Sequence, residues 1–286
     1  MQGSDQLASN PLSQWTLPLK AVHIQALDEH GEKIPGAFAS GFISQEENTY
    51  FLYTCWHVVT GYDMHEVIHG IGLQGPPKRF ALRVTLQDAI PTGPTVGIGG
   101  RQEITVPLYQ SKNYPLKPLW YQDPRDVPQA DLNTIGLKVP QLFDAIKIPL
   151  PKDLRIERIQ IITDSQCWTH GAEVGTQLFV VGFPYGYSSL GMSQPTPIVL
   201  TQHVAATGLS GRAMEILLDR PGAPGMSGGP VFVRNQNGLY LLGIYTGIIY
   251  PDHVLNSPQR ERVTALGICS NIGFCWGGWP LEPYKY

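Results

Sequence analysis

Three short stretches of this 286-residue chain hold residue types suited to nucleophilic chemistry. The first is Gly225-Met226-Ser227-Gly228-Gly229-Pro230. Glycines around a serine let the backbone turn sharply and aim two N–H groups at one spot, where the oxyanion of a tetrahedral intermediate can be held. The plain alternative is a Gly-rich turn before the next strand. The second is Thr54-Cys55-Trp56-His57-Val58-Val59, a histidine directly behind an apolar strand. A lone histidine in such a place is more often a packed core imidazole. The third is Ala130-Asp131-Leu132-Asn133-Thr134-Ile135-Gly136-Leu137-Lys138-Val139, with an aspartate at the mouth of an apolar strand. A turn or cap residue is the plain alternative here. Asp63, Asp88, Asp123 and Asp126 are rivals by composition, but none directly opens such a strand. Taken together, the three stretches gain meaning. A hydroxyl is a weak nucleophile near neutral pH; it needs a base to take its proton, and the base needs an anion to fix its tautomer. The order His, Asp, Ser, with the serine inside G-x-S-G-G-P, is far more specific than any one member.

These residues must be positioned by strands. Period-two alternation and β-branched content predict strands near 19–28, 37–44, 49–56, 79–88, 103–109 and 133–139. A polar, Pro-containing stretch over about 140–170 follows, then strands near 176–183, 195–206, 213–219, 230–235, 238–249 and 262–270. Six strands, a connector and six more fit an all-β chain of two six-stranded antiparallel barrels better than a sandwich. No internal repeat stands out. The segments 61–78 and 91–100 read as loop insertions.

Composition agrees with a β-rich globular chain. Hydrophobic residues are 42% and charged residues only 15%, against a usual charged share of about 25%. Gly (31) and Pro (25) make up about a fifth of the chain, scattered rather than periodic, as frequent turns require. The net charge is −3 with no basic run, which argues against a nucleic-acid partner. No secretory signal is legible at the start, and the longest apolar tract, 238–250, is broken by Gly243, Thr246 and Gly247. The four cysteines, Cys55, Cys167, Cys269 and Cys275, form no C-x-x-C pair, so neither a zinc site nor another metal or cofactor is expected. A reduced, cytoplasmic protein without a membrane anchor is the default, with a Cys269–Cys275 bridge left open.

The three motifs resemble those of the trypsin-like serine peptidases, closest to the bacterial HtrA (Deg) branch. The likeness runs in patches over about 37–272. Ala39-Ser40-Gly41-Phe42-Ile43 resembles the strand before the histidine, and Phe179-Val180-Val181-Gly182-Phe183-Pro184-Tyr185-Gly186 is similar to the segment opening the second barrel. Leu242-Gly243-Ile244-Tyr245-Thr246 resembles the strand that lies beside bound substrate. The resemblance implies one peptidase domain over 1–286: a first barrel over 16–140 with His57 and Asp131, a connector over 141–170, and a second barrel over 171–286 with Ser227. It implies His57 as general base, Asp131 as its orienter, Ser227 as nucleophile, and the N–H groups of Gly225 and Ser227 as oxyanion hole. Thr246 would lie near Asp131. The substrate pocket would be lined by Pro221, Gly222, Thr246, Gly247, Ile248 and Gly267. Pro221, six before Ser227, replaces the carboxylate that trypsins use to bind Lys or Arg. Ile248 and Leu266 then suggest a preference for a small or medium hydrophobic residue, unless Asp219 intrudes.

Three features depart from the family. Met226 stands where many trypsins carry an aspartate that pairs with a new N-terminus, so activation by N-terminal cleavage is not expected. The PDZ domain usual in HtrA enzymes is not expected after the last strand. Cys55 has no earlier cysteine to bridge to. The implied activity is endoproteolysis of a protein or peptide substrate, restrained by an effector or activator protein through the segments 61–78, 91–100 or 184–195. A protease fold kept only for binding ranks second. An α/β-hydrolase esterase, whose nucleophile elbow Gly225-x-Ser227-x-Gly229 also matches, ranks last, because a helix should follow the serine and Gly229-Pro230 with a β-like run follows instead.

Overall fold

Alternation of buried apolar residues drives the architecture. The computed structural model describes residues 14–62, 67, 77–92, 95–127, 135–140, 143–156, 160–168, 170–186, 195–207, 215–249, 266–270 and 281–284. After a 3-10 turn over Gln14–Lys20 come β1 (Val22–Leu27), β2 (Lys33–Glu46) and β3 (Thr49–Thr54). A short helix, α1 (Trp56–Thr60), leads toward β4 (Ala81–Thr92) and β5 (Thr95–Pro107). Short strands follow: β6 (Tyr121–Gln122), β7 (Asp126–Val127), β8 (Val139–Pro140), β9 (Ile146–Pro149) and β10 (Ile161–Ile162). The second half holds β11 (Gln177–Gly182), β12 (Ile198–Thr207), β13 (Glu215–Leu218), β14 (Pro230–Asn235), β15 (Gly238–Ile249), β16 (Leu266–Ser270) and β17 (Glu282–Pro283).

The pair of six-stranded barrels expected from the sequence is not what the described residues form. The second group closes, in the order β11-β12-β13-β16-β15-β14. The first is a curled sheet in the order β17-β6-β9-β3-β2-β1-β4-β5, with β10 parallel to β2. Three expectations change. Of the strand foreseen at 133–139, residues 133–134 lie outside the described residues, 135–136 form a turn, with the Leu116 N–H on the Ile135 carbonyl at 2.8 Å, and 139 alone is in a strand, β8. The supposed connector contains β9, which pairs with β3 and buries Ile146 and Ile148. The supposed insertion at 91–100 is the tip of the β4–β5 hairpin, closed by Thr92 opposite Thr95. The end of the chain also crosses back: β17 pairs with β6, so 282–283 join the first sheet.

Strand β11 shows how the halves meet. Its alternate residues Leu178 and Val180 point into the core of the closed barrel, while Phe179 and Val181, with Phe183 just after the strand, join the core of the first sheet. The period of two thus buries both faces of one strand. Side chains fasten this junction. The Ser40 hydroxyl donates to the Gly225 carbonyl at 2.7 Å and accepts the Phe183 N–H at 2.9 Å. Among the described residues, no helix is long and apolar enough to cross a membrane.

Candidate functional site

His57 sits on α1, a helix of five residues that is too short to be stable without tertiary support. That support is local. The Thr60 hydroxyl donates to the Trp56 carbonyl at 3.0 Å, and the Gly61 N–H closes the helix on the His57 carbonyl at 2.9 Å. One Arg79 Nη1 donates to the carbonyls of His57 at 3.0 Å and Val58 at 2.6 Å. A cation at the helix C-terminus is favourably placed against the dipole. Burial pulls the Arg79 pKa below its ordinary value. Arg79 had no distinguishing signal in the sequence; only the fold reveals its place.

The carboxylate that meets His57 is Asp144. Its Oδ1 accepts the His57 backbone N–H at 3.1 Å, and its Oδ2 lies 2.5 Å from Nδ1. The pairing follows from register: β9 lies antiparallel to β3 with Ile146 opposite Thr54. The segment just before β9 therefore lies beside the helix just after β3. A carboxylate only accepts, so Nδ1 carries the proton and Nε2 is the unprotonated nitrogen of the ring. The two side chains are partly sheltered, 27% and 11% exposed. The carboxylate found at His57 Nδ1 is Asp144; Asp131, from which this contact was expected, lies outside the described residues. A signal for Asp144 was present. Phe143-Asp144-Ala145-Ile146-Lys147-Ile148 also sets an aspartate before an alternating apolar run, but the prolines at 140, 149 and 151 disguise it as connector. Asp123, a rival in the sequence, is held by Arg125 Nε at 2.9 Å.

Ser227 lies in a turn shaped by its glycines. Gly225 has φ +93° and Gly228 φ +86°, a region that side chains disfavour. A Cβ on Gly228 would lie 2.1 Å from the Ser40 carbonyl oxygen, and one on Gly225 would lie 2.5 Å from that of Phe183. The turn is tied to both halves. Ser40 N–H donates to the Ser227 carbonyl at 2.9 Å, and Gly228 N–H donates to the Tyr245 carbonyl at 2.8 Å. That same Tyr245 carbonyl accepts the Cys55 thiol at 3.4 Å, which brings the residue two before His57 and the residue after Ser227 to one atom. Within the turn, the N–H groups of Met226 and Gly229 donate to Ala223 and Met226 carbonyls. Among the described residues, those of Gly225 and Ser227 donate to no backbone carbonyl.

The remaining expected residues fall around this turn. Pro221 is exposed and Gly222 half-buried, Thr246 is buried, and on β15 Gly247 pairs with Ile268 and Ile248 with Gly267. Asp219 accepts the His203 N–H at 2.9 Å and lies 3.1 Å from its Nδ1. Burial, the largest single cause, raises the Asp219 pKa, but the hydrogen bonds and charge of His203 and the charge of Arg220 together outweigh it and hold the pKa below its ordinary value. Cys55, His57 and Asp144 put three potential ligand atoms within 4.8 Å. Both Asp144 oxygens already face His57 and the thiol faces a carbonyl, so the cluster is organised by hydrogen bonds. An imidazole whose unprotonated nitrogen is Nε2, a serine on a hydrogen-bonded turn and two N–H donors are the parts that acyl transfer needs. No protein-family model and no curated protein sequence matches the chain.

Proposed function

We propose that the chain is a serine endopeptidase that cleaves protein substrates through an acyl-enzyme on Ser227, on a variant of the trypsin-like double-barrel plan. The observation that carries this is the two-point grip of Asp144 on His57, through backbone N–H and Nδ1. His203 and Asp219 make a like pair, so the grip tells only together with the tie to the Ser227 turn: the Cys55 thiol and the Gly228 N–H meet on one Tyr245 carbonyl. His57 Nε2 takes the Ser227 proton as the hydroxyl oxygen attacks the peptide carbonyl. The new oxyanion is held by the N–H groups of Gly225 and Ser227. The imidazolium, stabilised by Asp144, then protonates the leaving amine, and the peptide C–N bond breaks. Water repeats the sequence on the ester, with His57 as base, and releases the acid. Nothing in this scheme requires a metal or cofactor.

The test is mapping of new protein N-termini in cells that express the wild type or Ser227→Ala. Cleavage sites present with the wild type and missing with the variant support a peptidase. An identical N-terminal map in both overturns it.

A further inference from the structure

A phenol lies where a substrate side chain needs room. On the reading above, the attacked carbonyl sits at Ser227 with its oxygen on the N–H groups of Gly225 and Ser227. The side chain of that substrate residue enters between the segments flanking the turn. These are 221–224, which lead into it, and 246–248 of β15, which the Gly228–Tyr245 bond ties to it. Tyr245 spans the gap between them. Its N–H donates to the Gly229 carbonyl at 2.8 Å, so its backbone is fixed on the β15 side. Its phenol reaches the opposite wall, where Gly222 N–H donates to the phenol oxygen at 2.7 Å. A methyl on Gly222 would lie 2.6 Å from the ring carbon Cζ, so ring and loop are in contact.

The ring is not free to step aside. Tyr245 is 1% exposed and packs with Leu218, Met226, Val231 and Leu242 in the barrel core. Swinging it out would orphan the Gly222 N–H and leave a void in a close-packed interior. Pro221, the expected floor of a deep pocket, is exposed. At the mouth, by contrast, a Cβ on Gly247 would meet nothing within 4 Å. The opening is clear and the depth is filled.

We infer that Tyr245 sets the substrate class: its ring fills the primary pocket and restricts the residue before the scissile bond to glycine, alanine or serine. This refines the medium-sized apolar preference suggested by Ile248 and Leu266, and it rests on the serine endopeptidase reading. The experiment uses peptidyl diphenyl phosphonates that differ only in the side chain placed in the pocket: alanine, leucine or phenylalanine. Their labelling rates at Ser227 are compared with that of a fluorophosphonate lacking any pocket group. In the wild type, the alanine probe should label about 100-fold faster than the leucine or phenylalanine probe. Tyr245→Val should raise the two larger probes to within about tenfold of alanine, and Tyr245→Phe, which keeps the ring, should keep the restriction. A leucine or phenylalanine probe as fast as alanine in the wild type overturns the inference, whether or not Tyr245→Val folds. So does Tyr245→Val that reacts with fluorophosphonate yet keeps the wild-type preference. A wild type unreactive to every reagent overturns the serine nucleophile itself, and with it the pocket.

Discussion

Asp144 reaches His57 through two bonds, one to the backbone and one to the ring, so it fixes both the position of the helix and the tautomer of the base. Asp144→Asn keeps the shape but puts an amide where the acceptor stood. Its NH2, facing Nδ1, donates to it, so the ring carries its proton on Nε2, which loses its role as base. A fall of about 10⁴-fold in kcat is expected, measured on any substrate found by N-terminal mapping. Asp131→Asn should leave kcat near the wild-type value; the reverse pattern would return the orienting role to Asp131. The places of His57 behind a strand and of Ser227 in a Gly-rich turn could be read from their motifs, each with its own steric logic. The carboxylate beside His57 could not, because two stretches satisfy the same rule. The pairing of β9 with β3 that brings Asp144 there is non-local.

At the level of elements, the site depends on supports that carry no motif. Arg79 donates to two carbonyls of α1, one of them that of His57. Arg79→Leu should lower kcat about 10–100-fold through misplacement of the imidazole while leaving KM nearly unchanged, and Arg79→Lys should restore part of the loss. An unchanged kcat in Arg79→Leu would show that α1 is held without it. Strand β1 carries a pH dependence of its own. Burial, then the nearby charges of Lys33 and Arg101, lower the His23 pKa from its usual 6.5 to about 4. Between these values the unfolded chain binds a proton that the folded chain refuses. Stability therefore falls as pH drops from about 6.5 to about 4, by on the order of 3 kcal/mol. Denaturant midpoints across this range should show the slope, and His23→Gln should flatten it; equal slopes would refute the assignment. The alternation rule found most of the strands in these sheets. It failed at 133–139, where the run holds a turn, and over the supposed connector, where prolines hid β9.

Over the whole molecule, the site exists only where the halves meet. His57 and Asp144 belong to the first sheet and Ser227 to the closed barrel, with Ser40 and the Tyr245 carbonyl as the shared anchors. The six-plus-six strand count pointed to two barrels, yet a sum of local patterns cannot say whether a sheet closes. The first sheet extends instead through β6, β9 and β17 at one edge and the β4–β5 hairpin at the other. The return of β17 to β6 pairs residues about 160 positions apart, a contact outside the reach of any local pattern. The proposed peptidase requires that this junction make Ser227 a nucleophile. Fluorophosphonate labelling followed by peptide mapping reads this at the residue itself. The predicted result is a single adduct on Ser227, lost in Ser227→Ala and formed far more slowly in Asp144→Asn; an adduct on another serine, or a rate unaffected by Asp144→Asn, would contradict it.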